Sequence, residues 1–330
     1  MRYYEIVISP PEGVKVNSNT TLKYSSLASN GQANGAALQI DLDIFQTWYN
    51  QPAQNGYIKI HGVDFNALTQ NSNFNPIGDK YFSIKVYVGM SKGLPYANPQ
   101  QAGLILDGSI LQAFGNWQGN QTSLDLIVIP TAYIQTKNIN LDWYWTTDRT
   151  LQQAVERTLN IAYNNPIIEG GFSPDLKYPQ MQWGQYLSLT SFAKQIYKYS
   201  KEINPDPKYK GASITATPKG FFLWDGTQTT KTEVINVDFQ DLIGNITWIN
   251  TYTIQAKLVM RANLQIGNLI KFPKGVPYIN TTGSYAQLRD DVNFNGEYTI
   301  SQIRHLGSSR QPNGDSWCTI VECVILNAVP

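Results

Sequence analysis

The 330-residue sequence predicts a mainly β protein with an α/β insert, carrying a small antiparallel β-barrel domain at each end of the chain. Three observations predict this class. The first 130 or so residues alternate short apolar runs with Gly/Asn/Pro turn clusters. Helical periodicity enters only near residue 138 and is gone by residue 212. The chain then returns to strand patterning up to its end. The expected division is therefore 1–137 for the first barrel, 138–212 for the insert and 213–330 for the second barrel.

The elements follow in order. Met1–Ile8 reads as a first strand that turns polar at Ser9-Pro10-Pro11-Glu12, without the apolar stretch or cleavage site of a signal peptide. Gly56–His61 and Tyr81–Val88 alternate, and Leu104–Leu111 and Leu124–Ile129 are short apolar runs. Asn30–Gly35, Asn71–Gly78 and Gly115–Asn120 are the turns between them. In Arg149–Tyr163 the residues Leu151, Val155, Leu159 and Ala162 share one helical face, with Asp148 as the expected N-cap. A second helix fits Leu189–Ile203, with Phe192, Ile196 and Tyr199 on one side and Asn204-Pro205-Asp206-Pro207 as its stop. Ile214–Thr217 and Phe221–Trp224 flank a hairpin turn at Pro218-Lys219-Gly220. Glu233–Val237, Thr253–Val259, Leu269–Phe272, Tyr298–His305 and Trp317–Leu326 complete the strands, and Pro273–Asn295 reads as a long connection. No short tandem period occurs, but barrels of similar size at the two ends fit a diverged duplication.

Composition removes several classes of function. Hydrophobic residues make up 42%, enough for a core, whereas charged residues reach only 15%, against roughly 25% in ordinary soluble chains. Amides take their place: 29 Asn and 25 Gln outnumber 25 Lys and Arg and 24 Asp and Glu taken together. A net charge of +1 offers no footprint for nucleic acid, and the hydrophobicity is too high for disorder. No apolar run reaches the 18 or so residues of a membrane-spanning helix. Cys318 and Cys323 are separated by an odd number of positions on one strand. They point to opposite faces and are expected to be free thiols of a fold assembled in a reducing cytoplasm.

Motifs for chemistry are sparse, and the expectation is no catalytic, cofactor-binding or metal-binding residues and no cofactor. The two histidines, His61 and His305, end separate strands, and no Cys/His cluster has metal-ligand spacing. There is no Gly-x-Ser-x-Gly elbow, phosphate loop or dinucleotide fingerprint. Asp291–Gly296 matches the opening of a calcium loop, but Gln302 stands at the twelfth position, and an ordinary Asn-Gly turn explains the string. Carboxylate pairs such as Asp41/Asp43 and Asp290/Asp291 suggest glycosidase work, against the ordinary reading of adjacent acids as solvated. Trp143-Tyr144-Trp145, with Trp117 and Trp183, offers either a sugar-stacking platform or strand aromatics that bury one face and present the other to a partner. The Asn-x-Thr sequons at Asn19, Asn120, Asn245 and Asn280 are expected by chance in a chain this rich in Asn and Thr.

The informative stretch is C-terminal. Phe239–Ile249 leads into Tyr252–Ala262, then Leu264–Pro273, Phe294–Ile300, Ile303–Gly307 and Trp317. These are strand–turn–strand units in which Gly267 permits a tight turn, Pro273 ends a strand and Gly296 opens the next. The phrase resembles the baseplate central hub proteins of contractile-tailed bacteriophages, of the Mu-like and T-even kind. The resemblance implies two tail-tube-like barrels per subunit and a homotrimeric ring of pseudo-six-fold symmetry. Such a ring joins a six-fold tail tube or tube initiator to a three-fold central spike, touches baseplate wedge proteins, and leaves a channel through which DNA passes without specific binding. It places the protein in the virion, assembled in the host cytoplasm, as a structural part and not an enzyme. A carbohydrate-active or peptidoglycan-degrading tail protein is the alternative, and it requires a cleft with two carboxylates and aromatic walls.

Overall fold

The computed structural model describes residues 2–11, 21–47, 55–65, 68, 74–78, 80–90, 98–130, 140–206, 209, 211–218, 220–227, 234–250, 253–273, 294 and 296–325. The first β region comprises β1 (Arg2–Ser9), β2 (Leu22–Ser25), β3 (Gln39–Thr47), β4 (Gly56–His61), β5 (Ser83–Met90), β6 (Gly103–Gln118) and β7 (Gln121–Pro130). A strict alternation buries Tyr4, Ile6 and Ile8 of β1, Ile40, Leu42 and Ile44 of β3, and Ile58 and Ile60 of β4 in one core. The predicted turn at Gly115–Asn120 is shorter than expected. β6 runs to Gln118 and pairs with β7 up to Gln121, as a largely exposed hairpin arm held by the backbone ladder, the Asn116–Asp125 bond and the Trp117–Phe65 contact.

The middle region holds β8 (Leu141–Trp145), α1 (Leu151–Tyr163), β9 (Ile167–Gly171), β10 (Gln182–Tyr186), α2 (Leu189–Ile203), β11 (Ser213–Thr217) and β12 (Gly220–Trp224). The apolar faces of α1 and α2 share a core with Trp143, Trp145, Phe172, Ile214 and Leu223. α1 starts two residues later than the Asp148 cap implied. Thr150 is the N-cap, and it forms a capping box with Gln153. α2 has the predicted bounds, and Ser188 caps it. The β11–β12 hairpin pairs with β9, so the start of the third segment is built into the middle core.

The last region comprises β13 (Ile235–Asn236), β14 (Thr247–Asn250), β15 (Thr253–Val259), β16 (Leu269–Lys271), β17 (Glu297–Ser308) and β18 (Trp317–Ile325). Gly267 takes a left-handed φ of 83° at the turn before β16, and a Cβ there would lie 2.0 Å from the Phe222 ring. Cys318 and Cys323 are both buried and free, as expected.

The mainly β class is as read from the sequence, but the described sheets do not close into barrels. The first and last regions form one 13-stranded sheet whose path is β2-β1-β5-β6-β7-β4-β3-β17-β18-β15-β14, with β16 and β13 branching from β17. The edge of β3 that could close a first barrel carries β17 instead, over Asp41–Thr47. Beyond β3 the path is β4-β7-β6-β5-β1; beyond β14 it is β15-β18-β17-β16-β13. The two regions therefore repeat one topology, and each has a bulge at the same place: between Ile110 and Gln112 in β6, and between Ile300 and Gln302 in β17. They differ at the last step, where β1 runs antiparallel to β5 but β13 runs parallel to β16.

The junction is also fixed by side chains. Trp317 and Met260 belong to the first core, and the Trp317 Nε1–H donates to Gly89 O at 3.0 Å. Arg261, 3% exposed, meets the Asp241 carboxylate at 3.1 Å, and Gln101 donates to the same oxygen at 3.0 Å. Burial lowers the Arg261 pKa, opposed by Asp241 and Asp238.

Candidate functional site

The strongest concentration of polar chemistry lies on the face of the large sheet away from the core. Alternation puts Asp41, Asp43 and Phe45 of β3 there, beside Tyr57, Lys59 and His61 of β4, Asp125 of β7, Asn116 of β6 and Arg304 of β17. Arg304 grips Asp43 through two bonds of 2.8 and 2.6 Å, which raises the guanidinium pKa. His61 Nε2 lies 2.6 Å from Asp41. Asp125 takes Lys59 at 3.4 Å and accepts from Tyr57, Asn116 and Ser123. Burial pushes the Asp125 carboxyl up, but the bonds from Tyr57 and Asn116 and the Lys59 charge outweigh it, so its pKa is lowered. Burial, then the bond to Asp125, raises the Tyr57 phenol. Farther along the face Lys85 pairs with Asp107 and Lys23 with Glu5.

Asp43, Phe45, Asn55, Tyr57 and Arg304 line a shallow depression on this face. Its charges answer one another: the Asp41/Asp43 pair is not two facing carboxylates across a cleft, since each has its own cationic or imidazole partner. The arrangement makes an ion-paired, hydrogen-bonded wall of three carboxylates, two cations and an imidazole.

The other sequence candidates do not assemble. His305 is wholly buried in mid-strand, because β17 continues to Ser308, and its Nδ1 lies 3.1 Å from Thr319 Oγ1. Trp143 and Trp145 are core residues packed on Phe192, Tyr199 and Tyr178, whereas Tyr144 and Trp183 face each other across β8 and β10 on the exposed side. Trp117 stands in the first region, in an edge-to-face contact with Phe65. The Asp290/Asp291 pair, and Asp291–Gly296 apart from Phe294 and Gly296, lie outside the described residues, as do Asn19 and Asn280. Among the described residues no group of three or more His, Cys, Asp or Glu is placed to share a metal ion, and no helix is long and apolar enough to cross a membrane.

Sequence reasoning missed the sheet edges. On its β5 side, β6 is paired only as far as Ser109, leaving Leu111–Gln118 with no strand there among the described residues. Among the described residues β14 pairs only with β15, and all four of its residues are exposed. Trp248 and Ile249 on β14, and Phe114 and Trp117 on β6, are among the large exposed apolar side chains. A high aromatic content, 12%, beside a low charged content, 15%, was the available signal.

This architecture is the fold seen in phage tail proteins, in keeping with the resemblance carried by the C-terminal strands. The chain is similar over 98% of its length, and 97% of the other's, to the 43 kDa tail protein of prophage MuSo2 from Shewanella oneidensis, with a TM-score of 0.53 and 7% identity. A tail protein from Neisseria meningitidis MC58 gives 0.51 and 9% identity over 97% of this chain and 96% of that one. A chain of the half-lidded Francisella PdpA-VgrG complex gives 0.52 and 9% identity; this sequence spans 59% of its length. No protein-family model matches the sequence, and no curated protein does.

Proposed function

We propose that this chain is the central hub subunit of a contractile-tail baseplate, a structural part of the virion assembled in the host cytoplasm. Three copies form a ring. Each contributes two β units, so the ring is three-fold in subunits and pseudo-six-fold in units. One side meets the six-fold tail tube or its initiator, the other the three-fold spike, and wedge proteins contact the periphery. The proposed division is 1–137, 138–212 and 213–330, with the hairpin that opens the third segment docked on the middle core.

The observation that carries the reading is the repeat of one strand topology in two regions fused through β3 and β17. A protein that matches six-fold to three-fold symmetry needs two equivalent units per chain. The near end-to-end similarity to two tail proteins supports it. The ion-paired polar face supports passage of DNA without tight binding, since its cations are already matched by carboxylates and have little counterion to exchange for phosphates. The role needs no substrate turnover.

Sedimentation and electron microscopy of the purified chain test this. A trimeric, three-fold ring with an open axial channel and six peripheral β units is the expected result. A protein that stays monomeric at high concentration, alone and with tube and spike proteins present, overturns it.

A further inference from the structure

Of the aromatic residues that the sequence offered as a stacking platform, the fold keeps Tyr144 and Trp183 together on an exposed surface. β8 and β10 run antiparallel and, among the described residues, pair only with each other. One side of this ribbon carries Trp143 and Trp145 into the core of the middle region. Alternation sends Asp142 and Tyr144 of β8 to the other side, with Trp183 and Gln185 of β10. The register sets Trp183 directly opposite Tyr144, and Gln185 directly opposite Asp142.

This outward face is wet and ordered. Trp183 is 76% exposed and Tyr144 44% exposed, whereas the residues that hold the ribbon to the core lie on its inner side. Arg157 of α1 reaches over the Tyr144 ring, its guanidinium carbon 5.9 Å from the centroid, and fixes that ring at the edge of the surface. Gln185 Nε2 donates to Asp142 Oδ1 at 3.1 Å. A Gln amide has two N–H groups and a carbonyl, and a carboxylate has two oxygens. The bond therefore leaves one N–H, the Gln185 carbonyl and Asp142 Oδ2 for a ligand.

Size and charge select the occupant. The face of two five-residue strands measures about 17 Å by about 10 Å, or roughly 170 Å². A stable protein partner buries about 800 Å² on each side, so the face matches a short run of sugar rings better than a folded domain. A phosphodiester strand stacking its bases here would meet the Asp142 carboxylate and find Arg157 already placed on Tyr144. An apolar peptide would cover the Asp142–Gln185 pair without answering its hydrogen bonds. A neutral sugar meets every group. The electron-rich ring faces attract its polarised C–H groups, and its hydroxyls both donate and accept.

We propose that the outward face of β8 and β10 is a binding platform for a neutral glycan. A sugar ring stacks on Trp183 beside Tyr144, and its hydroxyls bond the Asp142–Gln185 pair, about 7 Å farther along the strands. Arg157 acts through Tyr144 as a positioning residue. The platform binds and does not cleave, since Asp142 is the only carboxylate among its outward strand residues and glycoside hydrolysis takes two. The site is built from the middle region alone and does not depend on the hub reading.

The test is retention of the full chain on immobilised neutral oligosaccharides of glucose, galactose, mannose, rhamnose and N-acetylglucosamine, with single-stranded oligothymidylate and a random peptide pool as comparators. Retention by at least one sugar is expected, and the free sugar should compete it away. Trp183→Ala should weaken it about tenfold or more while melting with the parent, because the side chain is exposed. Trp183→Tyr should restore most of the binding, Asp142→Ala should weaken it, and Trp117→Ala, in the first region, should leave it unchanged. Retention by no sugar, or retention that Trp183→Ala does not alter, overturns the proposal. Capture by the oligothymidylate or the peptide pool in place of sugar, lost in Trp183→Ala, also overturns it and gives the face to nucleic acid or protein. Sedimentation tests the hub reading separately, and either can fail alone.

Discussion

His305 carries the clearest pH dependence in the molecule. It is fully buried on β17 opposite Ile44, and burial lowers its pKa to about 4 from an ordinary 6.5. Between those values the unfolded chain binds a proton that the folded chain refuses. The stabilisation is therefore complete above about pH 6.5 and is lost as pH falls toward 4, by roughly 3 kcal/mol at about 1.4 kcal/mol per unit. Denaturant midpoints at pH 7 and pH 4.5 check this: the parent should lose more stability than His305→Gln, and equal losses would remove His305 as the cause. The sequence placed this histidine at a strand end. Its burial depends on β3, more than 250 positions earlier in the chain, and local periodicity carries no such information.

At the scale of elements, local chemistry was readable and edges were not. β4 and α2 have the bounds that alternation and helical spacing imply, because each has a single apolar face and clear breakers. The start of α1 was misplaced because Asp148 and Thr150 are both good caps in isolation. What decides is the reciprocal partner: Gln153 sits three residues after Thr150, its backbone N–H donates to the Thr150 hydroxyl at 3.3 Å, and its side chain accepts from Thr150 N at 3.0 Å. Thr150→Ala is expected to lower stability by about 1 kcal/mol in a chemical melt, with Asp148→Ala leaving the midpoint unchanged. The reverse order would put the cap back at Asp148. The same limit explains the open sheet. Two strand-rich regions read from the sequence as two closed barrels because strand patterning shows which residues face a core, never which strand takes an edge.

At the scale of the molecule, the two β regions should unfold together despite lying at opposite ends of the chain. The β3–β17 ladder joins their backbones, and Trp317 from the last strand sits in the first core. Gln101 of the first region and Arg261 of the last both hold the buried Asp241 carboxylate. A buried pair of this kind adds little over a well-packed apolar replacement, but removing one member strands the other without its counter-charge. Asp241→Ala is therefore expected to cost about 3–5 kcal/mol and Arg261→Met somewhat less, since the latter leaves Gln101 on the carboxylate. The double variant Asp241→Leu, Arg261→Met should recover much of the loss. Denaturation followed by Trp317 fluorescence against a whole-chain probe reads both points. Coincident transitions, shifted together by Asp241→Ala, are the expected result; a Trp317 transition that separates from the rest in the parent chain would make the two regions independent folding units.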